Sequence, residues 1–232
     1  MKALEIFTSH QGEGKYTGTL MTFIRFKVCK RPFSFTLCPM CDTMSKMKNC
    51  MEMAFDPIDL LHMLRRTHYN ICFTGGEPTI YVDDMRKIIE EHKSGFLDNE
   101  NACIHFETNG FEITRLPKLM QDLDIPKEKY FIAYSPKFFN ETELTKNLEF
   151  LVLNQSIFNN RYIIKLVVGE ETVDMVDEYL SKVPPRLIPL VYLMPEGVNE
   201  YQIGKSMVFV GELSKKYNVN ISDRLHVIHS FM

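Results

Sequence analysis

The sequence predicts an α/β fold built on a parallel sheet, and two observations carry that expectation. Short apolar runs rich in β-branched residues recur along the chain, and amphipathic helical patterns separate several of them. Strand–helix–strand units of this kind close right-handed and leave their strands parallel. A third observation bounds the organisation. The 232 residues, 45% of them apolar, can bury a sizeable core, and no repeat, low-complexity tract or Gly/Ser-rich linker interrupts them. One domain over residues 1–232 is therefore expected.

The elements follow in order. Residues 21–28 (MTFIRFKV) predict a strand, and the segment after it, to about Cys50, has no steady period and predicts a loop. A helix then starts with clear punctuation: Asp56 can cap it, Pro57 fits its first turn, and Ile58, Leu61 and Leu64 share one face. Apolar runs at 70–74, 102–106, 131–134, 162–168 and 188–194 suit buried parallel strands. Helical patterns lie between several of them: Val82, Met85, Ile88 and Ile89; Val173, Val176 and Leu180; and a stretch from about Tyr201 to Tyr217. In such folds the chemistry sits beyond the C-terminal ends of the strands.

Charge and compartment narrow the function. With 27 basic and 30 acidic residues the net charge is −3, so no global basic field exists to hold nucleic acid. Small-molecule chemistry stays open. No stretch approaches the roughly twenty apolar residues of a membrane span, and Met1 to Phe7 carry no signal-peptide pattern. A cytoplasmic protein with reduced thiols is expected. In that setting Cys29, Cys38, Cys41, Cys50, Cys72 and Cys103 point to metal ligation or catalysis before disulfides. Cys72 and Cys103 lie inside apolar strands and are expected in the core.

Cys38-Pro39-Met40-Cys41 is a CxxC, with eight residues separating it from Cys29. Three thiolates on one loop can each hold one iron of a [4Fe-4S] cluster and leave the fourth iron open. S-adenosylmethionine (SAM) can chelate an open iron through its amine and carboxylate. Structural zinc is the rival, since it takes four ligands, and Cys50 could be the fourth or could replace Cys29. The cysteines alone leave both readings open.

The strand at 70–74 runs into Gly75-Gly76-Glu77-Pro78. Two glycines let the backbone turn sharply and approach a ligand closely, Glu77 can offer a carboxylate to a bound ammonium, and Pro78 stiffens the exit. A plain strand-to-helix turn is the bland alternative. The turn follows a buried strand and lies about thirty-five residues after the cysteine loop, which favours the ligand-binding reading.

The cysteine loop followed by Thr74-Gly75-Gly76-Glu77-Pro78 resembles the radical SAM superfamily. The sequence around it is similar to the 7-carboxy-7-deazaguanine synthase family. The matching residues are Gln11-Gly12-Glu13-Gly14, Gly18, Phe23-Ile24-Arg25, Cys41-Asp42-Thr43, Glu107-Thr108-Asn109-Gly110, Ser135-Pro136-Lys137, Lys165 to Val168, Met194-Pro195-Glu196 and Arg224-Leu225-His226. They run in family order from residue 11 to residue 226 and so span nearly the whole chain.

The resemblance implies a radical SAM core shaped as an incomplete TIM barrel, open on one side. It implies a carbon–nitrogen lyase that converts 6-carboxy-5,6,7,8-tetrahydropterin to 7-carboxy-7-deazaguanine with loss of ammonia, towards queuosine-type deazapurines. Its cofactors would be a [4Fe-4S] cluster on Cys29, Cys38 and Cys41, SAM, and a magnesium ion on Thr43, a hydroxyl ligand that suits this hard cation. Gly75, Gly76, Glu77, Asn109, Ser135 and Lys137 would line the SAM site. Gln11, Gly12, Glu13, Gly14, Arg25, Thr74 and Lys165 would hold the pterin, with Gln11 and Glu13 on its amide and amino edge. Arg25 would grip its carboxylate in a bidentate pair, although an arginine on a strand also serves as a structural ion-pair partner. A homodimer and an electron donor such as flavodoxin are implied as partners.

The chain departs from the superfamily at the first cysteine gap, which is usually three residues, and at Leu20 and Val28, where a proline and a glycine are usual. These departures bear on the loop geometry and on Cys29 against Cys50. Two other functions compete: a radical SAM activase that makes a glycyl radical on a partner enzyme, and a non-catalytic zinc-binding module. The first lacks a use for Gln11 to Gly14, Arg25 and Thr43, and metal analysis separates the second.

Overall fold

A computed structural model describes residues 2–34, 38, 41, 53–54 and 56–229. Thr43 and Cys50 lie outside them. Backbone contacts group the chain into two compact units, Met1–Ser9 with Leu20–Ile132, and His10–Thr19 with Ala133–Met232.

The first unit carries β1 (Lys2–Ala3), β2 (Glu5–His10), β3 (Leu20–Phe26), β4 (Met53–Ala54), α1 (Pro57–Arg66), β5 (Ile71–Gly75), α2 (Val82–Glu91), α3 (Lys93–Asp98), β6 (Ile104–Thr108) and α4 (Arg115–Asp122), and it ends within β7 (Tyr130–Tyr134). β1 and β4 pair antiparallel. β3, β5 and β6 pair in parallel, with Phe26 beside Gly75 and Phe73 beside Phe106. Met21, Phe23, Ile24 and Phe26 are all buried, so β3 is covered on both faces, as a near-continuous apolar run in a parallel sheet requires.

Asp56 caps α1, its side chain accepting from the Ile58 amide at 2.7 Å, and Pro57 opens the helix. The buried face differs from the expected one. Leu60 and Leu64 point inwards, while Ile58 is 63% exposed in the first turn. Burying each leucine stabilises the unit by about 1.5–3 kcal/mol. In α2 the spacing holds: Val82, Met85, Ile88 and Ile89 are all buried.

The second unit carries α5 (Glu141–Leu153), β8 (Tyr162–Val168), α6 (Val173–Lys182), β9 (Val191–Pro195), α7 (Glu200–Tyr217), β10 (Asn220–Ile221) and α8 (Leu225–Ile228). β8 pairs in parallel with β9, and β9 with β10. Two expectations are corrected here. The run 188–194 is a strand only from Val191, because Pro185–Leu190 form a 3-10 helix. Prolines at 184, 185 and 189 fix φ and donate nothing to a ladder. The alternation of Leu225, His226 and Val227 reads as a strand in the sequence, but these residues lie in the single helical turn α8. Among the described residues no helix is long and apolar enough to cross a membrane.

Candidate active site

In the first unit the site is built where β3 and β5 end side by side. The chain leaving β5 keeps pairing with the chain leaving β3. Gly76 N–H donates to Phe26 O and Glu77 N–H to Val28 O, both at 2.8 Å, so the pairing reaches the residue before Cys29. Tyr81 secures the same stretch: its ring stacks on Phe26 at 4.2 Å and its hydroxyl accepts from Val28 N–H at 2.9 Å. Both glycines are required. Gly75 has φ +97, and a Cβ on Gly76 would lie 2.1 Å from the Val28 carbonyl oxygen. Gly76→Ala must therefore push Val28 and Cys29 away from the turn. We expect a loss of about 2–3 kcal/mol in a urea melt and less iron bound per chain after anaerobic reconstitution.

Cys29, Cys38 and Cys41 are partly buried free thiols. Burial first, then the negative charges of Glu77, Cys38 and Cys41, push the Cys29 thiol up to about 12. Cys38 and Cys41 each lie within electrostatic reach of Cys29, and as thiolates the three need a positive partner. A bound metal supplies one and deprotonates its thiols. Among the described residues no group of three His, Cys, Asp or Glu is disposed to hold a lone metal ion. A four-iron cluster asks for less convergence, since each sulfur takes its own iron. The donor set fits the cluster.

Glu77 is tied into the protein through its carboxylate. Its side chain is fully buried and accepts from Thr79 N–H at 3.2 Å, Thr79 Oγ1 at 2.9 Å, Thr108 Oγ1 at 2.7 Å and Asn109 N–H at 2.8 Å. Burial raises its carboxyl to about 7 even against these donors. The carboxyl thus ties the turn after β5 to the turn after β6. Asn109 extends the tie, its Nδ2 donating to Cys29 Sγ at 3.4 Å and to Lys30 O at 2.8 Å. Thr74 donates its hydroxyl to Glu107 at 2.6 Å. Arg25 pairs with Glu5 and lies 5.5 Å over the Phe7 ring, the structural ion-pair role left open by the sequence.

In the second unit, residues 10–19 turn back on themselves: Gln11 N–H donates to Thr19 O at 2.8 Å and Gly18 N–H to Gln11 O at 2.7 Å. Gln11 Oε1 accepts from Glu13 N–H at 3.2 Å. Glu13 pairs with Lys165 of β8, with Arg224 Nε at 3.2 Å, and lies 3.7 Å from His226 Nε2. Burial alone would raise its carboxyl, but Lys165, Arg224 and His226 outweigh burial and hold it well below the carboxylate range. Glu13 is ionised at any working pH.

The chain's last described turn packs on this loop. Leu225 N–H donates to Gly12 O at 3.0 Å, Gly14 N–H to Ser222 Oγ at 2.6 Å, and Arg224 Nη1 to Gly197 O at 2.6 Å. A Cβ on Gly12 would meet His226 Nδ1 at 2.2 Å. Arg224 and His226 thus join the site residues, and the Arg224-Leu225-His226 run among the matched motifs was the signal for them. Ser135 donates to Lys165 O at 3.0 Å and accepts from Lys137 Nζ at 2.9 Å. The unit therefore holds a buried, cation-rich pocket around one carboxylate.

Solved structures share this fold. The crystal structure of QueE from Escherichia coli aligns over 96% of this chain and 92% of its own, with a TM-score of 0.57 and 23% identity. The structure of anSMEcpe with bound AdoMet aligns over 85% of this chain and 61% of its own, with a TM-score of 0.50 and 15% identity. The fold is thus an α/β fold of mostly parallel strands with outer helices. No family model matches the chain. The 7-carboxy-7-deazaguanine synthase of Hyperthermus butylicus is 23% identical over 98% of this chain and 92% of its own length. That of Thermoplasma acidophilum is 27% identical over 98% and 96%. The chain is thus similar over nearly its whole length to 7-carboxy-7-deazaguanine synthases.

Proposed function

We propose that the protein is a 7-carboxy-7-deazaguanine synthase, converting 6-carboxy-5,6,7,8-tetrahydropterin to 7-carboxy-7-deazaguanine with loss of ammonia. The observation that carries this is the match to synthases of that name over 98% of the chain. The family implies a [4Fe-4S] cluster and SAM. Cys29, Cys38 and Cys41 would hold the cluster. When bound, the cluster supplies the electron that cleaves SAM and starts the radical chemistry.

The chain's own residues orient and shield. In the first unit the backbone at Gly75 and Gly76 gives SAM a close approach; in the second, Lys137 offers an ammonium that suits a carboxylate. Ser135 holds Lys137 in place. For the pterin, Glu13 is a permanently ionised acceptor for an amino group, with Gln11, Gly12 and Gly14 shaping the loop around it. Lys165 brings positive charge for the substrate carboxylate. Magnesium at Thr43 would orient substrate oxygens. A homodimer in the cytoplasm, reduced by a flavodoxin-type donor, completes the reading.

The test is direct. Protein reconstituted anaerobically is given reductant, SAM, magnesium and 6-carboxytetrahydropterin, and the mixture is read by mass spectrometry. We expect the deazaguanine product. Formation of 5′-deoxyadenosine without it would reject the substrate assignment and leave the superfamily intact.

A further inference from the structure

We infer that Asn109 acts on the cluster and not on SAM, holding the first cluster cysteine and raising the cluster's reduction potential through an amide hydrogen bond to its sulfur. This rests on the proposed cluster at Cys29, Cys38 and Cys41. Asn109 is 7% exposed, and its backbone N–H and both side-chain polar atoms are committed. Its backbone N–H goes to Glu77, its Oδ1 accepts from Phe111 N–H at 3.0 Å, and its Nδ2 reaches Cys29 Sγ at 3.4 Å and Lys30 O at 2.8 Å.

The orientation of the amide follows from these partners. Phe111 N–H can only donate and Lys30 O can only accept, so the NH2 end must face the sulfur. Lys30 is held on the same side, its ammonium 5.8 Å over the Phe111 ring. Glu77, turned inwards, fixes Thr108 and Asn109 from behind. Cys29 is thereby clamped from two directions: by the Gly76–Glu77 turn through Val28, and by Asn109 directly. A donor aimed at a cluster sulfur stabilises the reduced, more negative state more than the oxidised one and so raises the potential.

Two variants test the inference. Asn109→Leu keeps the volume and removes the donor, and Asn109→Asp keeps the acceptor for Phe111 N–H and sets a negative oxygen beside the sulfur. Each is reconstituted anaerobically, its iron and sulfide are counted, and its reduced fraction is followed against potential by electron paramagnetic resonance. We expect about fivefold less reduced cluster at a fixed potential in Asn109→Leu, the scale of one ordinary net hydrogen bond. A larger shift in the same direction is expected in Asn109→Asp. SAM affinity of the oxidised, loaded protein, measured by equilibrium dialysis, should stay within about twofold of the wild type for Asn109→Leu. Midpoints unchanged in Asn109→Asp, or a SAM affinity that collapses while the midpoint of Asn109→Leu stays put, would overturn the assignment. Wild-type protein that takes up no four-iron cluster would instead overturn the underlying reading, and this inference with it.

Discussion

Alanine at any one of Cys29, Cys38 or Cys41 is expected to abolish both the iron–sulfur chromophore and the activity, while alanine at Cys50, Cys72 or Cys103 leaves both in place. The reason is the division of labour among the six cysteines. Cys72 and Cys103 are fully or almost fully buried among apolar neighbours and behave as small core residues. Cys29, Cys38 and Cys41 are partly exposed and interact electrostatically. With two sulfurs left, a cube loses one iron corner and is not retained. Iron and sulfide per chain, with visible absorbance, measure the outcome. A Cys29→Ala protein that keeps its full cluster while Cys50→Ala loses it would move the first ligand to Cys50.

The second large effect is at Glu13. Its carboxylate is shared by Lys165 and Arg224, whose side chains are 8% and 7% exposed. Glu13→Gln removes the charge that both buried cations face. Breaking a buried pair from one side costs about 3–5 kcal/mol. The same arrangement dictates a pH dependence. The folded-state pKa of Glu13 lies well below its unfolded value of about 4.3. Its stabilising contribution is therefore complete above the unfolded value and is lost as pH falls through the folded one. Urea melts of the wild type should weaken steeply below about pH 5, and Glu13→Gln, already weaker at pH 7, should decline less on the acid side. Parallel acid limbs in the two proteins would show that Glu13 is not the anchor of this pocket.

Much of this was legible in the sequence, and the boundary of what was legible has physical causes. β8 was readable because Tyr162 to Val168 is an apolar run interrupted only by Lys165, as suits a strand covered on both faces. α1 announced its start through Asp56 and Pro57, since caps are local chemistry. Its buried face was misjudged because Leu60 and Leu61 are neighbours, and only tertiary packing decides which turns inwards. α5 went unannounced, as Val152 and the 82%-exposed Leu153 blur its apolar stripe. Glycine and cysteine motifs mark chemistry but not partners. Glu77 accepts from donors on Thr108 and Asn109, 31 and 32 residues away, which no local pattern signals. The ion pair of Arg224 with Glu13 spans 211 positions, beyond the reach of any local pattern. Neither the edge of β4 nor the division of the chain within β7 leaves a linker or a composition change to read.

The central claim is that three sulfurs at the strand ends of the first unit hold a four-iron cluster with one iron open to SAM. Electron paramagnetic resonance of the anaerobically reconstituted, reduced protein, recorded before and after SAM is added, addresses it most directly. A signal from a reduced [4Fe-4S] cluster that changes shape on adding SAM is the predicted result. A silent, colourless protein carrying one zinc per chain, or a cluster signal indifferent to SAM, would contradict it.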